Sequence, residues 1–352
     1  MINRLVWMET DNTYPYRNLA MEEYMTLHVP QGTCILYLWQ NRHTVVIGKN
    51  QNCWRECRVN FLEQEDGYLV RRLSGGGAVF HDLGNLNFTF IVGAGDYDVS
   101  RQLDVILEAV RSLGIHAEKT GRNDITVDGR KFSGNAFYRT GDGCYHHGTI
   151  LIRADKENMS RYLNVSKEKL ASKGVTSVKS RVANLCEFKP DITLEEVKAA
   201  LVEAFSRVYG QPAVRMKEEE LPQPEIDVLT EKFASWQWKY GRKIPFEYEM
   251  EKRFPWGNIQ IQFHVDEGMI QDVNVFSDAM DQEMIGMLAE QLKGCAYAEE
   301  DICRAVKAMG TDAFQAGEYT GADEPQSCRI KRGYHDPCEG IAVNAEHKWK
   351  RG

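Results

Sequence analysis

Gly121-Arg122-Asn123-Asp124-Ile125-Thr126-Val127-Asp128-Gly129-Arg130-Lys131-Phe132-Ser133-Gly134-Asn135 is the stretch from which the rest of the chain is read. Asp128-Gly129 between two alternating segments signals a two-residue β-hairpin. The turn implies a register in which Val127 faces Arg130, Thr126 faces Lys131 and Asp124 faces Ser133. Period-two alternation then points Ile125, Val127 and Phe132 to the core and leaves Asp124, Thr126, Lys131 and Ser133 on the other side. A lysine beside a carboxylate and a hydroxyl on a rigid hairpin can stabilise charge that develops on a bound phosphate or carbonyl. The same residues can also form an ordinary surface ion pair, worth about 0 to 1 kcal/mol.

Outward from the hairpin, short apolar runs at Cys34 to Trp39, Thr44 to Gly48, Tyr68 to Arg72 and Asn87 to Val92 read as strands. Helices alternate with them. Leu103, Ile106, Leu107, Val110 and Leu113 recur at three- and four-residue steps before Gly114, which predicts an amphipathic helix with a glycine stop. Thr193 and Glu196 form a capping box, with Ile192 and Val197 as its hydrophobic staple, and open a helix ending near Gly210. Gln211 to Glu225 carries three prolines and the acidic run Glu218 to Glu220, so composition alone predicts a linker there. Beyond it, Ile259, Ile261, Phe263 and Val265 alternate with polar residues up to the turn Asp266-Glu267-Gly268. A second strand from Met269 to Phe276 and two helical stretches up to Gly310 complete a small β-then-α domain. From Thr311 the chain is Gly-rich and polar and reads as a loosely ordered tail.

The 352 residues are 43% hydrophobic and 27% charged, which excludes a disordered chain. The net charge of -8 argues against a nucleic-acid binder working through bulk electrostatics. No apolar run is long enough for a membrane span and the first residues are too polar for a signal peptide, so a cytoplasmic address is expected. The nine cysteines then read as mostly reduced thiols.

A second motif, Arg71-Arg72-Leu73-Ser74-Gly75-Gly76-Gly77-Ala78-Val79-Phe80-His81-Asp82, sets three glycines directly after a strand. Their N–H groups can converge on anionic oxygens while the arginines add charge, and the alternative is a flexible turn. No Gly-Lys-Ser/Thr follows, so it is not a Walker loop. In Tyr145-His146-His147-Gly148-Thr149 the two histidines face opposite sides of a strand and cannot easily share a metal, which leaves structural histidines as the default. Ser172 to Arg181 is a basic, polar loop. Cys53 and Cys57 lack partners at zinc-site spacing, and Cys328, His335 and Cys338 make only a weak metal candidate.

Taken together, these stretches resemble the lipoate-protein ligase A family. The resemblance runs through Asn18 to Glu23, Thr44 to Gly48, Arg71 to Asp82, Gly121 to Asp124, Arg130 to Gly134, His146 to Leu151 and Gly174 to Leu185. It continues into Ser235 to Trp238 and Phe254 to Gly257. It implies an α/β (α+β) fold: a large mixed-sheet catalytic domain of the biotin and lipoyl ligase type over residues 1–245, then a small α+β accessory domain over 246–310. The role of the tail 311–352 is left unknown, and Ser327 to Gly352 matches nothing in the family pattern. The implied activity is two-step, with lipoate and ATP giving lipoyl-adenylate and pyrophosphate before an acceptor lysine takes the lipoyl group.

By resemblance, Lys131 is the catalytic cation touching both carboxylate and α-phosphate. Contacts to ATP and lipoyl-adenylate are expected from Arg72, Ser74, Gly75, Gly76, Gly77, Ala78, Val79 and Phe80 in the glycine loop. On the hairpin they come from Asn123, Asp124, Ser133 and Gly134, and on the following strand from His147 and Thr149. Thr176, Ser177 and Arg181 belong to a loop expected to close over the adenylate. Mg2+ is the expected metal, with Asp124 as its ligand, and (R)-lipoate the substrate. Expected partners are lipoyl domains of 2-oxoacid dehydrogenase acyltransferase subunits, glycine cleavage H protein, or both, with Lys167, Lys169 and Lys179 helping to dock them. No nucleic acid, no membrane and a monomer are expected. Two other readings remain: an octanoyl or lipoyl amidotransferase using a Cys144 or Cys186 thioester without ATP, and a non-catalytic lipoate-binding protein.

Overall fold

The computed structural model describes residues 1–120, 124–164, 182–254 and 256–309. Asn123, Thr176, Ser177, Arg181, the three docking lysines and the tail therefore lie outside the described residues. The chain divides into two compact units. One comprises Met1–Ile47, Cys53–Ser74 and Ala78–Lys239, and the other Gly48–Asn52, Gly75–Gly77 and the chain from Tyr240.

The first unit is organised by an eight-stranded mixed sheet. In chain order its strands include β1 (Arg4–Glu9), β2 (Thr33–Trp39), β6 (Asn85–Gly93), β7 (Glu118–Thr120), β8 (Asp124–Val127), β9 (Arg130–Thr140), β10 (Gly143–Leu151) and β11 (Ala213–Arg215). Their spatial order is β11-β1-β2-β6-β10-β9-β8-β7. A smaller sheet holds β3 (Thr44–Ile47) between β4 (Tyr68–Arg71) and β5 (Val79–His81). Every residue of β2 is buried, the pattern of a strand covered on both faces.

Helices α1 (Pro15–Leu27) and α4 (Gln223–Ala234) contribute Leu19, Met21, Ile226 and Phe233 to a core with Val6, Met8, Tyr37, Trp39 and Tyr145. On the other face, α2 (Val99–Ser112) and α3 (Leu194–Tyr209) cover Leu36, Leu38, Phe88, Phe90, Cys144 and Ile150. The expected helix ends are present. Asp98 accepts the Arg101 N–H at α2, and at α3 the Thr193 hydroxyl oxygen accepts the Glu196 N–H while Glu196 accepts that of Thr193. Gly210, at φ 71°, ends α3 in the left-handed conformation that glycine tolerates.

Two expectations need correction. The proline-rich segment is no linker: β11 pairs in parallel with β1, Leu5 opposite Ala213, and α4 lies within the same unit. Composition registers the prolines but not the sheet edge waiting for a strand. The hairpin turn forms as expected, with Asp128 at φ 50° and Gly129 at 71°, and Thr126 pairs with Lys131. A β-bulge between Ile125 and Thr126 then shifts the ladder, so Ile125 pairs with Ser133 and Asp124 with Gly134. Ser133 does not face Asp124; it is fully buried and its hydroxyl has no hydrogen-bond partner among the described residues.

Within the second unit, β12 (Tyr248–Phe254), β13 (Gly257–Asp266) and β14 (Met269–Ser277) form an antiparallel sheet. Ile259, Ile261 and Phe263 pack with α5 (Gln282–Leu292) and α6 (Glu299–Ala308). The β-then-α reading holds. Gly75–Gly77 also group here: the Gly76 N–H donates to the Ala279 carbonyl at 3.0 Å, and a Cβ on Gly75 would come within 2.5 Å of that oxygen. This glycine N–H thus has a protein acceptor rather than an open cradle.

Candidate active site

One row of residues crosses the large sheet on the face that α1 covers. Register places Trp39 beside Asn87, Asn87 beside Thr149, Thr149 beside Gly134 and Gly134 beside Asp124, over five strands. The lysine arm from the hairpin lies over Gly134, next to the Asp124 end of this row. A Cβ built on Gly134 would sit 2.6 Å from Lys131 Nζ and 2.7 Å from its Cε, so only glycine leaves the space that this arm fills. The Lys131 ammonium pairs with Asp124 at 2.5 Å, both side chains partly exposed. Thr149 Oγ1 accepts the Gly134 N–H at 3.3 Å. The Lys131 backbone is anchored from the other side by the Ala183 N–H, which donates to its carbonyl at 2.9 Å.

The strand supplying Asn87 alternates buried polar Asn85, Asn87 and Thr89 with buried Leu86, Phe88 and Phe90. The Asn85 amide donates to Asn87 Oδ1 at 2.8 Å, which leaves the Asn87 Nδ2 donor buried and without a partner among the described residues. A buried, unmatched donor in the same row as Gly134, one strand beyond Thr149, is where a polar ligand atom would be stabilised.

Four further groups connect on the same face. Arg72 Nε donates to Ser74 Oγ at 2.9 Å, Ser74 Oγ meets His147 Nε2 at 2.8 Å, and His147 Nδ1 donates to Glu22 on α1 at 2.9 Å. Thr89 donates to the same Glu22 oxygen at 2.7 Å, and Trp39 Nε1 donates to Thr89 at 3.0 Å. Arg72 is buried, and loss of hydration lowers its pKa to about 10 while Tyr145 and Glu22 oppose the fall, so the guanidinium stays charged at neutral pH. Arg71 is different. Its guanidinium donates to the Trp238 and Lys239 carbonyls, and the Trp238 indole returns a bond to the Arg71 carbonyl, so it ties segments of the unit together.

The structure thus brings Lys131, Asp124, Gly134, Thr149, His147, Ser74 and Arg72 onto one face of one unit. Ser133 leaves that face, and Phe80 sits in an aromatic cluster, its ring 5.4 Å from that of Tyr162. Ala78 is half-buried and Val79 packs against the core of the α1 face. Gly75, Gly76 and Gly77 belong to the other unit. Both histidines are buried, as a structural default requires, but only His147 joins the charged network. Site reading from sequence missed Glu22, Asn87 and Thr89. The polar alternation Asn85-Leu86-Asn87-Phe88-Thr89-Phe90 was the available signal, since a buried strand rarely keeps one face polar without a use. Of the two thiols of the amidotransferase reading, Cys144 is buried in the α2/α3 core, and Cys186 packs against that core. Burial raises the Cys144 pKa, which suppresses the thiolate.

Comparison with known proteins identifies the family. Residues 14–206 match the lipoyl protein ligase A/B catalytic domain, and residues 243–321 match the bacterial lipoate protein ligase C-terminus. A crystal structure of P. falciparum LipL1 in complex with lipoate is 30% identical, with a TM-score of 0.74 over 85% of this chain and 93% of that one. A bi-partite lipoate protein ligase from Thermoplasma acidophilum, studied with its E2 lipoyl domain, is 28% identical over 69% of this chain and 99% of its own, at a TM-score of 0.59. Lipoate-protein ligase A bound with ATP is 26% identical over 68% and 99%, also at 0.59. Among the described residues no helix is long and apolar enough to cross a membrane. Two domain matches in order over most of the chain, and a relative 30% identical over 85% of it, establish that the chain belongs to the lipoate-protein ligase family.

Proposed function

We propose that this ligase joins lipoate to ATP as lipoyl-adenylate, releasing pyrophosphate, and passes the lipoyl group to a lysine of a lipoyl domain. The observation that carries the proposal is the Lys131 ammonium lying over Gly134 between Asp124 and Thr149. Attack of a carboxylate on the α-phosphorus joins two anions and builds charge on nonbridging oxygens, and a fixed cation in a partly dry site lowers that barrier. In the second step the same cation polarises the acyl carbonyl. Arg72, held by Ser74, is placed to grip carboxylate or phosphate oxygens through its planar fork. The lipoate-bound and ATP-bound relatives support both substrates, and the relative studied with its E2 lipoyl domain supports the acceptor class.

Magnesium fits this site in one way. Magnesium on a nucleotide is usually held by one or two carboxylates plus phosphate oxygens. Asp124 is the carboxylate here, and among the described residues no cluster of three His, Cys, Asp or Glu could hold a metal unaided. The ion would neutralise triphosphate charge, and Lys131 would then exchange Asp124 for the incoming anions.

The test is lipoate-dependent ATP–pyrophosphate exchange, followed by mass spectrometry of a lipoyl domain incubated with the protein, lipoate and ATP. ATP-free and octanoate controls accompany it. Addition of one lipoyl group only with ATP is expected; ATP-independent transfer from an acyl thioester would sink the proposal.

A further inference from the structure

The Glu22, His147 and Ser74 chain has the order of a base oriented by a carboxylate and set against a hydroxyl, and the adenylation step asks no proton transfer of it. All three side chains are buried. Glu22 accepts from Thr89 and from His147 Nδ1, so the Nδ1 proton is spoken for and Nε2 is left to receive the Ser74 proton. Arg72 donates to Ser74 Oγ, which makes that hydroxyl a better proton donor toward Nε2. His147 and Thr149 sit two residues apart on one face of β10, about 7 Å along the strand, so the chain ends close to the row where the lysine arm lies.

We propose that Ser74 and His147 form the proton acceptor for the transfer step, with Glu22 as the residue that positions the imidazole. The inference rests on the function proposed above. The acceptor lysine's neutral amine forms the new N–C bond with the acyl carbon, and the C–O bond to the adenylyl phosphate breaks, so that AMP leaves with the bonding pair. The amine's proton goes to Ser74 Oγ as the Ser74 proton moves to His147 Nε2. Glu22 balances the imidazolium until it returns the proton to water. Removing the proton prevents the attacking amine from being expelled again, which commits the intermediate to amide formation.

The test compares two nucleophiles on the same enzyme-bound adenylate: the lysine of an acceptor lipoyl domain, and hydroxylamine, whose adduct loses its proton without help. His147→Gln should slow lysine transfer by about 100-fold relative to hydroxylamine capture, and Glu22→Gln by about 10-fold. Added imidazole should restore part of the lysine transfer in His147→Gly. Equal losses for both nucleophiles in His147→Gln and Glu22→Gln, or no response of His147→Gly to imidazole, would overturn the relay. Failure of the unsubstituted protein to lipoylate with lipoate and ATP would instead remove the function on which it rests.

Discussion

Strand β10 carries two adjacent histidines, and the faces they enter differ in the groups that meet the imidazole. His146 enters the α2/α3 core, where it meets Gln102 and Asn135 at 3.2 and 2.8 Å among Phe88, Phe90 and Phe137. Burial, with His147 adding to it, lowers its pKa to about 3, so it is a neutral, amide-matched core residue. One position on, His147 meets a carboxylate and a hydroxyl that leads to a buried guanidinium. Burial alone therefore does not mark function. What separates the two faces is that one meets its histidine with neutral amides, while the other assembles charged groups around it.

That contrast can be broken from the charged side first. Lys131→Ala should lower lipoate-dependent pyrophosphate exchange by roughly 1000-fold or more, because it removes the cation that meets the developing charge. Circular dichroism and thermal unfolding should be unchanged, since the side chain is outside the core. Normal exchange would remove Lys131 from the mechanism. Arg72→Lys should cost about 100-fold in the same assay, because an ammonium cannot reproduce the planar fork. Gly134→Ala should cost about 10-fold, because the new methyl displaces the end of a flexible lysine rather than any backbone. Full activity with an intact fold in Gly134→Ala would mean that the observed lysine position is not the working one.

The neutral side is sharpened by acid, with the least effect on chemistry. His146 and His81 have folded pKa values of about 3, His81 lowered by burial and then by Arg72. The unfolded chain takes up protons near 6.5 while the folded one does not, so this stability is complete above that pH and lost as pH falls toward 3. At pH 5 each histidine should account for about 2 kcal/mol of the loss. Urea unfolding at pH 7.5 and pH 5 measures it. His146→Leu should flatten the decline while pyrophosphate exchange at pH 7.5 persists. An unchanged pH dependence would show that His146 is protonated in the fold.

How much was legible follows the range of the interactions. The Asp128-Gly129 turn, the Thr193 box, the Gly210 stop and the alternation of β13 are local, and each formed where its residues predicted. Lys131 pairs with Thr126 as expected because a two-residue turn sets pairing over the first few positions. The register failed one bulge later, where the extra residue Phe132 is drawn into the α2/α3 core and takes Ser133 off the site face. Nothing in a hairpin's own alternation reports such a pull.

Sequence by itself determined the turns, caps, alternating faces and motif order, because these depend on neighbours within a few residues. Tertiary structure alone decided that Glu22 meets His147 across 125 residues of chain, that β11 pairs with β1, and that Gly134 lies under the lysine arm. Such contacts are set by which sheet edges and helix faces remain to be covered once local structure exists, and no short window of sequence carries that information.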